Sequence, residues 1–162
     1  MNPMPKHTLH YAPHGEREIK ITRLFDAPRS AVYHAVTQPE MLKRWMIGPG
    51  DWSLVTCNSD LRVGGTYRYV WRHNTEGTEM GMHGTFCEIV PNERISQTEN
   101  FDVDWTGGET LATLTLTEHD GQTTLTNTIR YSTPEARDNV LASNMEQGVA
   151  AGYDRLEELL SG

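Results

Sequence analysis

The sequence lacks a long apolar run, an apolar leader segment and an excess of positive charge. No stretch approaches the roughly 20 apolar residues that a helix needs to cross a bilayer, and Met1–Lys6 holds no apolar core of a secretory signal. We therefore expect a cytoplasmic protein without membrane insertion. The 14 Lys and Arg against 22 Asp and Glu give a net charge of −8, which disfavours nucleic acid as a partner.

Several common catalytic and metal motifs are also missing. Cys57 and Cys87 fit neither a zinc nor a redox spacing, so we expect two buried free thiols. No GxSxG turn and no glycine-rich phosphate loop before a helix occurs, which disfavours covalent catalysis and nucleotide binding. His7, His10 and His14 have a metal-like spacing, but a proline interrupts any helix there. We predict no metal site and no cofactor.

The chain has the size and composition of one folded domain. Its 162 residues, 36% of them hydrophobic, suffice for a sizeable core. Residues 1–16 contain three prolines and no sustained periodicity. We therefore predict a flexible leader over 1–16 and a single domain over 17–162.

Periodicity within the domain predicts an α+β fold. A strand begins near Glu18, and two short helices follow, the second ending at Gly48-Pro49-Gly50. About six further strands fill residues 52–131, with Asp120-Gly121 as a tight hairpin turn. Their connections are too short for parallel crossovers, so the sheet is predicted to be antiparallel, curved and about seven-stranded.

A long helix with an apolar stripe ends the chain, and the sheet is predicted to wrap around it. Whether residues 134–140 join this helix or form a separate turn stays open. Gly148 and Gly152 lie in its middle, where each costs about 1 kcal/mol relative to Ala. We expect another part of the backbone to approach the helix at these positions.

An ordered series of segments resembles the SRPBCC (START-like, helix-grip) superfamily. Within it, the chain is similar to single-domain bacterial proteins named for homology to the activator of heat-shock protein 90 ATPase. The resemblance covers about residues 17–160 and implies the helix-grip fold, in agreement with the element order. It implies a ligand cavity but not a function, since members bind lipids, cyclise polyketides or dock on chaperones. The segments are Arg23–Pro28, Val32–Glu40, Trp45, Gly64–Tyr67, Gly84–Pro91 and Gly148–Leu156.

Aromatic and apolar residues on the facing surfaces of sheet and helix are the candidate ligand site. Such a set is typical of a pocket for a small hydrophobic molecule, although an ordinary close-packed core has the same composition. Arg23 lies on the apolar face of the first strand and would pair with a carboxylate or with an anionic group of a ligand. The candidates are Trp45, Tyr67, Tyr69, Trp71, Met82, Phe86, Phe101, Met145, Val149, Tyr153 and Arg23.

Three functions are compatible with these residues. The first is non-covalent binding of a small hydrophobic or aromatic molecule, and the second is a polyketide cyclase-like or hydratase-like enzyme. The enzyme needs a titratable group inside the cavity, for which Arg23 and Glu99 are the candidates. Asn127 and Glu99 lie on the apolar faces of their strands, where either could orient a substrate or could lie at a solvated strand end. The third is a chaperone-interaction module. His83 is predicted to face outward, and a homodimer is left open.

Overall fold

The computed structural model describes residues 7–47 and 51–161, which form an eight-stranded sheet and four helices. The strands are β1 (His10–His14), β2 (Glu18–Phe25), β3 (Trp52–Ser59), β4 (Thr66–His73), β5 (Glu79–Val90), β6 (Arg94–Phe101), β7 (Thr110–His119) and β8 (Gln122–Arg130). The helices are α1 (Arg29–Thr37), α2 (Pro39–Trp45), α3 (Pro134–Leu141) and α4 (Met145–Ser161).

The sheet is antiparallel throughout: β3 to β8 form a meander, and the N-terminal strands β2 and β1 extend it beside β8. Its order is β1-β2-β8-β7-β6-β5-β4-β3, so β3 to β8 follow one another in space as they do along the chain. Asp120 and Gly121 both have positive φ at the β7–β8 turn, as predicted. The α+β class and the antiparallel arrangement are confirmed, and the expected number of strands is one short of the observed eight.

The additional strand lies in the segment predicted to be a flexible leader. β1 pairs with β2 from His10 opposite Thr22 to His14 opposite Glu18, so the prediction is wrong for these residues. Pro13 suggested an irregular segment, but β1 is the edge strand of the sheet formed by the described residues. A proline is tolerated there because the missing N–H removes no bond from the middle of the sheet.

Two short helices, α1 and α2, follow β2, as predicted. Pro39 occupies the first turn of α2, which ends at Trp45. The predicted stop at Gly48-Pro49-Gly50 lies outside the described residues. In the part of the chain that the structure describes, no helix is both long and apolar enough to cross a membrane.

The C-terminal region consists of two helices. Thr133 caps α3 by accepting a hydrogen bond from the Ala136 N–H at 3.0 Å. Residues Pro134–Leu141 therefore form their own helix, and α4 begins at Met145. Tyr153 and Leu156 on α4 are buried in the core beneath the sheet, which leaves the N-terminal half of α4 to border the site described next.

Candidate functional site

A cavity of about 480 Å³, partly open to the surface, lies between the sheet and α4. Strands β2 to β8 contribute side chains from one side, and α2 and α4 contribute from the other. This volume is within the range typical of small-molecule sites. The lining comprises Ile21, Trp45, Met46, Trp52, Trp71, Met80, Glu99, Phe101, Thr106, Thr110, Asn127, Ile129, Tyr131, Asn144, Met145, Gly148, Val149, Gly152 and Tyr153.

A second cavity of about 130 Å³ lies deeper under the sheet and shares part of this lining. Val36 and Leu42 of the short helices and Met82 of β5 belong to the smaller cavity only. We call the residues that line both cavities the junction. They are Trp45, Met46, Glu99, Asn127 and Tyr153.

The two glycines of α4 have different surroundings. A Cβ atom built at Gly148 would meet nothing within 4 Å, so this position faces open space in the larger cavity. A Cβ at Gly152 would lie 3.6 Å from the Trp45 carbonyl oxygen and 3.7 Å from its ring. The expected close approach of another backbone therefore occurs at Gly152 only.

Hydrogen bonds hold two of the aromatic walls in place. The indole N–H of Trp45 donates to the Ala35 carbonyl at 2.8 Å, and that of Trp71 donates to the Met46 carbonyl at 2.8 Å. The Tyr153 ring packs against Trp45 with ring centres 5.7 Å apart. Because these rings are fixed by their polar ends, the apolar faces stay directed at neighbouring rings and at the cavity.

Glu99 is the acidic group of the cavity. It lies on β6 opposite Thr110 of β7, whose hydroxyl donates to Oε1 at 3.2 Å. Burial raises the pKa of Glu99 from 4.5 to about 7, and the hydrogen bond from Thr110 partly opposes this rise. The side chain can therefore be protonated or ionised near neutral pH, as the enzyme hypothesis required of a group in the cavity.

Neutral polar groups surround this carboxyl. Asn127 on β8 borders both cavities, and its buried Oδ1 has no hydrogen-bond partner among the residues that the structure describes. Burial raises the pKa values of Tyr131 and Tyr153, and the nearby charge of Glu99 contributes to both shifts. These hydroxyl groups are therefore neutral at any physiological pH.

The structure brings most of the predicted ligand-site residues to the two cavities. Tyr69 and Met82 border the smaller cavity, together with Trp45 and Tyr153. The larger cavity is lined by Trp45, Trp71, Phe101, Met145, Val149 and Tyr153.

Tyr67 and Phe86 lie outside both cavities, which corrects their assignment to the ligand site. Their rings pack together with centres 5.3 Å apart, and both side chains are buried. The Tyr67 hydroxyl donates to the Thr98 carbonyl at 2.5 Å. A Cβ at Gly84 would lie 1.8 Å from the Thr98 carbonyl oxygen and 2.7 Å from this hydroxyl, so the glycine makes room for both groups. Both aromatic residues belong to the hydrophobic core.

Arg23 also lies outside the cavities, and its assignment to the ligand site is corrected in favour of an ion pair. The side chain is 1% exposed, and its guanidinium donates to Asp154 at 2.8 Å and to Glu157 at 3.0 Å. Both acceptors lie on α4. Arg23 therefore fixes the helix to β2, since a buried guanidinium is tolerated when carboxylates accept its hydrogen bonds.

The remaining polar candidates lie elsewhere. Cys57 is buried, but Cys87 is exposed, so the prediction of two buried thiols is wrong for Cys87. His83 is exposed, as predicted. His7 lies 3.0 Å from Asp26. Within residues 7–47 and 51–161, no group of three or more His, Cys, Asp or Glu residues could hold a metal ion.

Sequence reasoning missed several residues of the lining. Trp52 begins β3 and Asn144 precedes α4, and a position at an element end has no defined face in a periodic pattern. Tyr131 continues the alternation of Leu125 and Ile129 and could have been found from it. Thr106, in the loop after β6, gave no signal.

Comparisons with known proteins agree with this architecture. A solved protein from Rhodobacter sphaeroides is 33% identical, with 94% of this chain and 97% of that chain covered and a TM-score of 0.89. A solved protein from Chromobacterium violaceum is 27% identical, with 90% and 98% covered and a TM-score of 0.76. One from Nitrosomonas europaea is 25% identical, with 92% and 97% covered and a TM-score of 0.80. No curated protein matches the chain.

The sequence was also compared with models of protein families. The model of the "Activator of Hsp90 ATPase homolog 1-like protein" family matches residues 26–161, from the turn before α1 to the end of α4. This range includes the helices and strands β3 to β8. The chain therefore belongs to the family of Activator of Hsp90 ATPase homolog 1-like proteins.

Proposed function

We propose that the protein binds a small hydrophobic or aromatic molecule, non-covalently and in the cytoplasm, in the cavity between the sheet and α4. The observation that carries this proposal is the open space in front of the half-buried Gly148, at the wall of the cavity between the sheet and α4. Aromatic and aliphatic side chains form most of the wall, as is usual for ligand pockets. A close-packed core would have filled this space with side chains.

Apolar burial would provide most of the affinity. A ligand that removes about 200 Å² of apolar surface from water gains about 5 kcal/mol, before the loss of translational and rotational freedom is subtracted. Without that subtraction, the gain would correspond to a dissociation constant of about 0.2 mM, so the net affinity from apolar burial alone is weaker still. Tight binding would need additional polar contacts at the junction of the two cavities.

Tryptophan fluorescence provides a direct test, because Trp45, Trp52 and Trp71 all line the larger cavity. Titration with a panel of aromatic metabolites and lipids should give saturable changes in emission for some members. Gly148→Leu should abolish those changes, since its side chain would occupy the ligand's space. Absence of binding across the panel by both fluorescence and calorimetry would contradict the proposal.

A second candidate function is acid–base catalysis in the same cavity, of the polyketide cyclase or hydratase kind. The observation that favours it is the direction of Glu99, whose carboxyl group borders both cavities. A pKa of about 7 suits a group that accepts and returns a proton near neutral pH. Turnover of a poly-β-keto thioester that disappears in Glu99→Gln but persists in Glu109→Gln would support it. Equal rates in both variants would exclude Glu99 as the acid–base group.

A further inference from the structure

The charge that the described lining residues can place in the two cavities is negative. Among the described lining residues, Glu99 is the one side chain that can carry a full charge, and no Lys, Arg or His contributes. The buried guanidinium of Arg23 is paired with Asp154 and Glu157 on α4. An anionic ligand would therefore find no counter-charge inside the cavities, and its desolvation would be uncompensated.

Two residues with hydrogen-bond acceptors, Glu99 and Asn127, line both cavities. Glu99 Oε1 accepts from Thr110, and no group of the described residues donates to the buried Asn127 Oδ1. An unpaired buried carbonyl of this kind is unfavourable. A ligand that carries hydrogen-bond donors could satisfy acceptors of this kind.

Aromatic rings line the same space. Trp45 and Tyr153 border the junction itself, and Trp71, Phe101 and Tyr131 border the larger cavity. The faces of such rings attract cations, with a larger effect where water is excluded. A carboxylate, an unpaired carbonyl and several aromatic faces together form an environment that favours a positive charge.

We propose that the ligand is a hydrophobic amine, with its apolar or aromatic body in the larger cavity and its ammonium group at the junction. The ammonium N–H groups donate to the Glu99 carboxylate, and Asn127 Oδ1 is a second acceptor that borders the same cavities. An ammonium supplies several donors and a full charge, whereas an alcohol supplies one donor and no charge. This inference rests on the proposed function and specifies the chemical class of ligand at that site.

The state of Glu99 makes binding of an amine depend on pH. The titratable groups that interact with this carboxyl are Tyr67 and Tyr69 on β4, Tyr131 after β8 and Tyr153 on α4, all neutral at pH 6–8. Burial raises the pKa of Glu99 to about 7. The ionised fraction of Glu99 in the free protein therefore increases about tenfold from pH 6 to pH 8. The amine stays protonated over this range.

Three probes with one apolar body test the proposal: 1-naphthylmethylamine, 1-naphthalenemethanol and 1-naphthoic acid. Calorimetric titration should show the amine binding at least about tenfold more tightly than the alcohol at pH 8, and the acid binding most weakly. The affinity for the amine should increase about tenfold from pH 6 to pH 8, in proportion to the ionised fraction. The affinity for the alcohol should not increase.

Two variants separate the role of Glu99 from general charge effects. Glu99→Gln keeps the shape of the side chain and should remove both the preference for the amine and its pH dependence. Its unchanged affinity for the alcohol would show that the cavity is intact. Glu109→Gln removes an exposed carboxylate outside both cavities and should behave like the wild type.

The outcomes distinguish this inference from the function on which it rests. Equal affinity for amine and alcohol, or a preference for the amine that survives in Glu99→Gln, would overturn the amine assignment while leaving a hydrophobic ligand site. Failure of all three probes to bind by calorimetry at either pH would overturn the assignment together with its basis in the proposed cavity function.

Discussion

Replacing Gly148 by Leu should make the protein more stable while it closes the cavity. The new side chain enters a space in which a Cβ meets no atom within 4 Å. Exchanging Gly for a good helix former gains about 0.8–1 kcal/mol, and burial of the side chain adds about 0.8 kcal/mol per methylene that leaves water. We expect the free energy of unfolding to increase by about 1–3 kcal/mol and ligand binding to disappear.

Gly152→Leu is the matched control, one turn further along α4. The helix-propensity gain is the same, but the Cβ would already contact the carbonyl oxygen and ring of Trp45 at 3.6–3.8 Å. Because Gly152 is buried whereas Gly148 is half-buried, we expect the rest of the Leu side chain to overpack this region, at a cost of about 1–3 kcal/mol. The difference in stability between the two variants therefore reports the free space alone.

Urea denaturation followed by circular dichroism measures the free energy of unfolding of both variants. An unchanged m-value would show that the same amount of surface is exposed on unfolding as in the wild type. The reasoning predicts opposite signs relative to the wild type, or at least a clear gap in favour of Gly148→Leu. Equal destabilisation of the two variants would refute it, because Gly148 would then face protein atoms as closely as Gly152 does.

Three further predictions concern individual side chains. The pKa of Glu99 is raised in the folded protein, so the unfolded chain loses this proton at lower pH, and wild-type stability should fall by about 3 kcal/mol relative to Glu99→Gln between pH 4.5 and pH 7. Denaturation of both proteins across this pH range measures the difference in stability. A difference that stays constant with pH would contradict the prediction. Tyr67→Phe should lose about 1 kcal/mol of stability with the hydrogen bond to Thr98 and leave probe affinity unchanged; altered affinity would place Tyr67 at the ligand. Arg23→Met should destabilise by about 3 kcal/mol because it leaves the carboxylates of α4 without this guanidinium, and adding Glu157→Gln should recover part of that loss. No recovery in the double variant would count against the ion pair as the cause.

Periodicity predicted which face of a strand a residue occupies, but not how far along the strand it lies. Tyr67, Tyr69 and Trp71 share one face of β4, as expected. Trp71 borders the larger cavity, Tyr69 borders the smaller one and Tyr67 lies outside both. Which of these residues reaches a cavity depends on where α4 crosses the sheet, and no local sequence pattern encodes that position. Alternation therefore identified the correct face of the strand but assigned too many of its residues to the ligand site.

Contacts between distant segments account for the other differences. Arg23 was correctly placed on the apolar face of its strand, but its partner Asp154 lies 131 positions further along the chain. The pairing of β1 with β2 was missed because a proline in an edge strand has the same local sequence as a proline in a loop. Glu99 and Asn127 were identified by parity, and only the three-dimensional arrangement shows that both reach one cavity.

The pairing of β2 with β8 has a consequence for how the chain acquires its structure. Ile21 lies opposite Asn127, so the sheet is completed only after nearly the whole polypeptide is present. During synthesis on a ribosome, β2 emerges long before β8 and cannot pair with it until β8 has been made. Each hairpin of the meander, by contrast, can form as soon as its two strands are synthesised. Closure over so large a sequence separation is intrinsically slow. The late step of folding should therefore be the pairing of β2 with β8, which also adds Ile21 to the wall of the larger cavity.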